Sequence, residues 1–111
     1  LKKIDGTAGS NVIENLSDIA PDLARYIIEF AFGQIYERPG LSLQERELLT
    51  LSSLLTAGGC EAQLQVHINA ALHVGIKEEK IIEAFLHCIP YTGFPKVLNA
   101  VAVAGQIFSG K

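Results

Sequence analysis

The fold is decided by the stretch Ser42–Gly75, SLQERELLTLSSLLTAGGCEAQLQVHINAALHVG, which predicts two helices separated by a glycine pair. The first helix begins at a capping box, formed by Ser42 and by Glu45 three residues later. Its apolar positions recur at helical spacing up to the glycine pair 58–59, which ends it. Gly75 suits the C′ position that terminates the second helix. The expected bounds are 42–57 and 60–74.

Residues that are typical of helix starts and ends also occur before this stretch. Residues 1–10 read as a loose arm, followed by a short helical piece at 11–16. Ser17 or Asp18 is expected to cap the next helix, with Pro21 in its first turn.

After the stretch, residues 78–89 predict a further helix, which begins with two glutamates and stops at Pro90. The last helix is expected over 95–108, and residues 34–40 are expected to be a connector. No segment has the alternation of a strand. The sequence therefore predicts one all-α domain over 1–111, a compact bundle of about six short helices.

Composition points to self-association. Hydrophobic residues make up 49% of only 111 residues, so the chain holds more apolar side chains than a small interior can bury. The helix at 95–108 is apolar nearly all round, which is typical of a helix covered on every side. We expect a homo-oligomer whose contacts are made by the helices at 42–57, 60–74 and 95–108.

Charge and cysteine usage exclude several classes of protein. The net charge is −3 with both signs scattered, so neither nucleic acid nor a membrane surface is an expected partner. The longest uncharged stretches are too short to span a bilayer. Two distant cysteines form neither a disulfide framework nor a zinc cluster, and no phosphate-binding glycine loop is present. We expect a cytoplasmic protein without metal or other cofactor.

One face of the helix at 60–74 carries Cys60, Gln63 and His67 at offsets 0, 3 and 7, above the alanines 70 and 71. One interpretation is a functional site with room left by the alanines. The other is close helix packing around a core histidine that is bonded to a carbonyl or to Gln63. The spacing alone leaves both open.

The preceding helix carries a carboxylate, Glu47, on an apolar stripe. Arg46 lies about 100° further round the same helix, where it faces a ligand or solvent. His87 falls on the polar face of the helix at 78–89, and Cys88 on its apolar face, where a buried and inert thiol is expected. The apolar neighbours of Glu47 on its stripe are Leu43, Leu51 and Leu54.

Several segments in this order resemble the carboxymuconolactone decarboxylase family over roughly 21–108. His67 and the following alanines and Gly75 are similar to the family's His, Ala, Gly pattern. The other matching segments are FGQIYERPGL at 32–41, QERELLTL at 44–51, EEKIIE at 78–83 and YTGFP at 91–95. The resemblance implies a helical bundle that assembles as a ring-like homo-oligomer, expected to be a hexamer or trimer.

The family has two functional branches. One is similar to γ-carboxymuconolactone decarboxylase, a cofactor-free lyase of aromatic-acid breakdown, and segments 32–41 and 91–95 place the chain nearer to it. The other resembles alkylhydroperoxidase proteins, in which a Glu, a Cys-x-x-Cys pair and a His reduce peroxides. Glu47, Cys60 and His67 match that set, with Glu47 one residue out of spacing. Gln63 replaces the second thiol, and it also stands where the decarboxylase branch often has a Glu.

The resemblance implies, as the leading function, decarboxylation of a small carboxylated lactone or related acid. His67 is the expected proton donor, since an imidazole exchanges protons near neutral pH. The first alternative is a thiol-dependent peroxide reductase centred on Cys60 and His67. The second is an oligomeric binding protein without catalysis, which the substitution at Gln63 keeps open. The candidate catalytic residues are His67, Glu47 and Cys60, and the candidate substrate-binding residues are Arg46, Gln63, Tyr91 and His87.

Overall fold

The computed structural model describes the backbone of residues 8–110 and the side chains of residues 11–110. Within that part of the chain every regular element is a helix, which confirms the all-α prediction. Residues 1–7 of the predicted arm lie outside the described residues, and the first helix begins at Ala8. In chain order the elements are α1 (Ala8–Leu16), α2 (Pro21–Tyr26), a π segment (Ile27–Ile35), α3 (Leu43–Ala57), α4 (Glu61–His73), α5 (Glu78–His87), α6 (Ile89–Thr92) and α7 (Phe94–Phe108).

The core lies where α3, α4, α5 and α7 pack on one another. Its largest fully buried apolar side chains are Phe85, Leu51, Leu55, Ile68 and Ile81. Small residues of α4 and α7 let the helices approach closely, because Ala71, Ala100 and Ala104 are also fully buried. Helix α1 packs on α2 and α4, outside this core.

Helix α3 begins at the predicted capping box. The Ser42 hydroxyl accepts the Glu45 backbone N–H at 3.0 Å, and the Glu45 carboxylate accepts the Ser42 N–H at 2.8 Å. At the other end, Lys96 Nζ donates to the Thr56 carbonyl at 2.9 Å, so a cation lies at the negative end of the helix dipole. Gly58 then leaves the helix with φ of 76°, as the predicted glycine break requires.

Helix α4 ends in a Schellman motif. The Gly75 N–H donates to the Leu72 carbonyl and the Ile76 N–H donates to the Ala71 carbonyl, each at 3.0 Å. Gly75 has φ of 95°, so it occupies the C′ position that the sequence predicted. Ile76 is buried, and the motif therefore anchors the start of the next connection to the core.

Gly75→Ala is expected to lower the free energy of unfolding by about 1 kcal/mol or slightly more, because an alanine Cβ is strained at positive φ. The new Cβ would also lie 3.3 Å from Gln44 Nε2, which donates to the Val74 carbonyl at 2.8 Å. Urea denaturation measures the change. Gly40→Ala is the matched control, because its added Cβ would meet no atom within 4 Å. Equal stability of the two variants would contradict the expectation.

Two predictions about helix ends are wrong. The residue that caps α2 is Ala20, not Ser17 or Asp18, because Pro21 occupies the first turn and disfavours helical backbone at the residue before it, where φ is −146° and ψ is 72°. The Ser17 hydroxyl instead donates to the Glu14 carbonyl at the end of α1. Pro90 does not end helical structure but lies in the first turn of α6, where its missing N–H costs no hydrogen bond.

The π segment begins one residue after Tyr26 and runs to Ile35, so it includes the start of the predicted connector 34–40. Its wider turn is visible in the Tyr36 N–H, which donates to the Ala31 carbonyl five residues earlier at 2.9 Å. The π segment places Tyr36 beside α3, where its hydroxyl contacts Thr50. The ring of Phe32 packs against the Tyr36 ring at a centroid distance of 5.0 Å.

None of the helices in residues 8–110 combines the length and the hydropathy that a bilayer span needs. The cytoplasmic location expected from the sequence stays a prediction.

Candidate active site

The site is built around a carboxylate and an imidazole from neighbouring helices. Glu47 of α3 has an exposed fraction of 0%, and its Oε1 lies 2.9 Å from Nδ1 of His67 in α4. The apolar stripe of α3 faces the core, so it carries this carboxylate inward with Leu51 and Leu55. The histidine side chain is 18% exposed, which places the pair at the boundary between core and solvent.

This contact orients the imidazole. An ionised Glu47 only accepts hydrogen bonds, so His67 Nδ1 donates and Nε2 is left as the nitrogen available to a ligand. The other carboxylate oxygen, Oε2, is buried without a hydrogen-bond partner. A buried carboxylate with one unpaired oxygen is costly for stability, and such groups concentrate at functional sites.

His67 lies on a cavity of about 580 Å³. One wall is apolar and comes from α1, α2 and the π segment, while the polar groups come from α3, α4 and the connector. The polar lining residues are Tyr36, Thr50, Gln63 and His67. The apolar lining residues are Val12, Ile13, Leu16, Leu23, Ile27, Ala31, Phe32, Ala62 and Val66. The cavity thus has the mostly apolar lining and the few convergent polar groups that are typical of a small-molecule site.

Tyr36 and Thr50 form a second polar group in the cavity wall. Their hydroxyls are hydrogen-bonded to each other, and Thr50 Oγ1 also donates to the Arg46 carbonyl at 2.9 Å. Burial raises the pKa of the Tyr36 hydroxyl well above its ordinary value of 10.0. The hydrogen bond with Thr50 opposes this shift, and the neighbouring carboxylate of Glu47 adds to it. Tyr36 is therefore a neutral hydrogen-bond donor at physiological pH.

The raised pKa of Tyr36 predicts a loss of stability in alkali. The folded protein holds this proton more tightly than the unfolded chain, so its contribution is complete below 10.0 and is lost as pH rises toward the folded value. Between about pH 9 and 11 the melting temperature should fall more steeply for the wild type than for Tyr36→Phe. Tyr26→Phe, which removes an exposed tyrosine, serves as the control. Parallel curves for the wild type and Tyr36→Phe would contradict the expectation.

Of the residues singled out in the sequence, His67 and Gln63 line this cavity, and Glu47 lies behind His67 in contact with its Nδ1. Arg46 is turned elsewhere: its Nη2 donates to the Arg38 carbonyl at 2.8 Å, which ties the connector to α3. Its side chain borders a separate hollow of about 300 Å³, and the Arg46 Nε is buried without a partner there.

The other three predicted site residues do not line the cavity. Cys60 caps the start of α4, and its thiol lies 3.4 Å from the Gly58 carbonyl at a narrow crevice. His87 and Tyr91 are neighbours of each other, with ring centroids 5.8 Å apart, and Tyr91 is 78% exposed. Cys88 is buried in the core, as predicted.

The sequence did not single out Tyr36 and Thr50 as site residues. A signal existed in the spacing of Phe32 and Tyr36, since two aromatic residues four apart share a face of a helix. That signal was hidden because residues 34–40 read as a connector. Among the described residues, no group of three His, Cys, Asp or Glu side chains is arranged to hold a metal ion.

Comparison with known proteins finds one matching family and several similar proteins. The model of the carboxymuconolactone decarboxylase family matches residues 21–106. A 4-carboxymuconolactone decarboxylase of Acinetobacter baylyi is 35% identical over 96 residues, which cover 86% of this chain and 71% of the relative. A nitrosuccinic acid decarboxylase of Metarhizium robertsii is 35% identical over 99 residues, which cover 86% of this chain and 68% of the relative.

A third relative, an uncharacterised 15.0 kDa protein of Paracoccus denitrificans, is 25% identical over 95 residues, which cover 85% of this chain and 71% of the relative. The family match spans most of the helices and all the polar residues of the cavity. It confirms the resemblance seen in the sequence: this chain belongs to the carboxymuconolactone decarboxylase family.

Proposed function

We propose that this protein is a decarboxylase of a small carboxylic acid and that its reaction takes place in the cavity at His67. The observation that carries the proposal is the buried Glu47–His67 pair, whose imidazole lies on a cavity with a largely apolar wall. Two of its relatives are named as decarboxylases. The pair supplies a proton donor, and the cavity supplies a place for the acid.

The reaction needs an acid whose carboxyl group lies beside an electron acceptor. When the bond to the carboxyl carbon breaks, its electron pair moves onto the oxygen of a neighbouring carbonyl, lactone or nitro group, and CO₂ leaves. One proton must then be added to the carbon. A doubly protonated His67 donates it from Nε2, while the ion pair with Glu47 stabilises the imidazolium until the transfer. The neutral imidazole regains a proton from solvent.

The apolar wall favours the departure of CO₂. A carboxylate placed against Ile13, Leu23 or Phe32 loses hydration that the neutral product does not need, so the wall raises the free energy of the bound acid more than that of CO₂. No lysine or arginine side chain is among the described residues that line the cavity. The acid is therefore expected to be held through neutral donors and shape more than through a cation.

The substrate class follows from what the two named relatives share. Their names, 4-carboxymuconolactone and nitrosuccinic acid decarboxylase, describe acids with a lactone and with a nitro group. Both groups accept an electron pair on oxygen. We therefore place this protein's substrate among small acids activated in that way, with a size that fits a cavity of about 580 Å³.

The test is CO₂ release from three acids: 4-carboxymuconolactone, nitrosuccinate, and succinate as an acid without an activating group. The wild type is expected to release CO₂ from at least one activated acid but not from succinate. His67→Asn should lower kcat at least about 100-fold. His73→Asn, which removes an exposed imidazole from the end of α4, should leave it unchanged. No release above buffer from either activated acid would overturn the proposal.

The same preparation separates the alternatives. Cys60 does not line the cavity, so Cys60→Ser should keep decarboxylation. Peroxide consumption that Cys60→Ser abolishes would favour a thiol peroxidase instead. A rise in melting temperature with an activated acid that is not turned over would favour a binding protein.

We also propose that the chain associates with copies of itself. Helix α7 buries Val97, Ala100 and Ala104 on the bundle, yet Phe94 is 65% and Leu98 is 64% exposed. Further large apolar side chains are exposed along α2 and the π segment, namely Leu23, Ile28, Phe30 and Ile35. Such a density of exposed apolar groups is typical of a protein interface.

Light scattering should give a mass that is a multiple of 12.0 kDa. Leu98→Glu should shift the population toward smaller species, because a charge is costly in an apolar interface. Asn99→Glu, a change of charge at the neighbouring exposed position, is the control. A stable monomer at high concentration would contradict the proposal.

A further inference from the structure

The hydrogen atoms in the cavity wall can be assigned one by one. A carbonyl oxygen only accepts, so the Thr50 hydroxyl uses its single hydrogen on the Arg46 carbonyl. In its contact with Tyr36, Thr50 is therefore the acceptor and Tyr36 is the donor. It follows that Thr50 has no hydrogen for a ligand. The Tyr36 hydroxyl, which also lies beside the Glu47 carboxylate, has one for which a bound anion can compete.

The polar lining residues then differ in what they offer a bound anion. His67 Nε2 is assigned to the carbon that loses CO₂, and the exposed Gln63 carries an amide on the first turn of α4. Tyr36 is a neutral O–H donor fixed by packing against Phe32 and by its contact with Thr50. A donor that is held in place before charge appears stabilises a developing oxyanion most, because little reorganisation is needed.

We infer that the Tyr36 hydroxyl donates a hydrogen bond to the substrate oxygen on which negative charge collects as CO₂ leaves. This role rests on the proposed decarboxylation. It divides the work between two residues: Tyr36 stabilises the oxyanion, and His67 protonates the carbon. No proton is transferred from Tyr36, since burial raises the pKa of its hydroxyl and keeps it protonated.

The role narrows the substrate class. The bound acid must yield a planar anion, an enolate or a nitronate, with its charged oxygen toward Tyr36 and its carbanion carbon toward His67. An acid whose carbanion places no charge on oxygen gains nothing from Tyr36 and is expected to be a poor substrate. The apolar wall from α1, α2 and the π segment leaves the rest of the molecule without specific polar contacts.

The kinetic test is Tyr36→Phe, which removes one oxygen and keeps the ring that packs on Phe32. For an activated acid, kcat is expected to fall about 100-fold with little change in KM, because the hydrogen bond strengthens only as charge develops. Tyr26→Phe removes a hydroxyl outside the cavity and should leave both constants unchanged. An unchanged kcat in Tyr36→Phe would overturn the inference.

A binding test needs no turnover and so separates this inference from the proposed function. The probe is p-nitrophenolate, a planar anion with its charge on oxygen, titrated by its visible absorbance. Tyr36→Phe is expected to weaken its binding by about 10- to 100-fold, the range for one hydrogen bond to a charged group. Binding of the uncharged p-nitroanisole should stay the same. Equal phenolate affinity in the wild type and in Tyr36→Phe would overturn the inference even if decarboxylation is found.

A second variant tests whether weaker phenolate binding in Tyr36→Phe comes from disturbed packing of the cavity wall and not from the lost donor. Thr50→Val removes the acceptor of the Tyr36 hydrogen but keeps the shape of the side chain, and Tyr36 remains free to donate. We expect it to retain phenolate binding within about threefold of the wild type, since the donor to the anion is unchanged. If Thr50→Val loses binding and Tyr36→Phe does not, Thr50 is the donor and the assignment to Tyr36 is wrong.

Discussion

Glu47→Gln is expected to lower kcat by about 100- to 10,000-fold while the protein stays folded. The amide has nearly the volume of the carboxylate, so the packing around it is preserved. Its charge is lost, however, and the imidazolium form of His67 is no longer stabilised by a partner at 2.9 Å. The amide NH₂ can also donate to Nδ1 of His67. This contact favours the neutral tautomer, in which the only ring proton is on Nε2 and the ring carries no positive charge.

Measurements of kcat and of unfolding, made on the same preparation, distinguish this role from a purely structural one. Because the lost charge acts on the imidazolium of His67, kcat should fall while the protein stays folded. Glu45→Gln is the matched control. Glutamine also serves in a capping box, and Glu45 lies two residues before Glu47 and outside the cavity. If Glu47→Gln keeps more than about a tenth of the activity, the carboxylate does not assist His67.

The pairing of Glu47 with His67 shows which features of the site the helical periodicity of the sequence predicts. The positions of leucines around Glu47 required the carboxylate to face inward, and the structure leaves it with 0% exposure. The spacing of His67 placed the imidazole on a face with small residues, and in the structure it contacts Glu47 of α3. Which acceptor it would meet was open, because helix spacing fixes a face but not the partner on the neighbouring helix.

Two other predicted site residues, Cys60 and Arg46, illustrate why spacing is not enough. Cys60 lies at an offset of seven from His67, but it is the cap residue of α4, with φ of −116° and ψ of 34°. Its side chain therefore does not follow the helical stripe. Arg46 was expected to face a ligand or solvent, whereas its guanidinium donates to the Arg38 carbonyl of the connector. This contact depends on where the chain goes after the π segment.

Tyr36 was missed for a related reason. Prediction of faces assumes a turn of 3.6 residues, whereas the hydrogen bond from the Tyr36 N–H spans five residues. The wider turn shifts the direction of every side chain that follows, and a proline and glycine soon after made the segment read as a loop. The cavity wall is therefore the part of the site that depends most on tertiary structure.

His67→Leu is expected to lower the free energy of unfolding by about 3 kcal/mol at neutral pH, because it leaves a buried carboxylate without its partner. Oε2 of Glu47 has no hydrogen-bond partner in the wild type, and the substitution removes the partner of Oε1 as well. The 18% exposure of His67 lets some water reach the site, which places the estimate at the lower end of the range for broken buried pairs.

The double variant Glu47→Leu with His67→Leu should return to within about 1 kcal/mol of the wild type, since two apolar side chains fill the space without an unpaired charge. Urea denaturation at one fixed protein concentration measures all four members of the cycle. Gln65→Leu, at an exposed position on α4, is the control and should change stability by less than about 0.5 kcal/mol. If His67→Leu is as stable as the wild type, the carboxylate is not held as a buried charge. If instead the double variant is stable but inactive, the pair is dispensable for folding, and its retention in an apolar core is explained by the chemistry at the cavity.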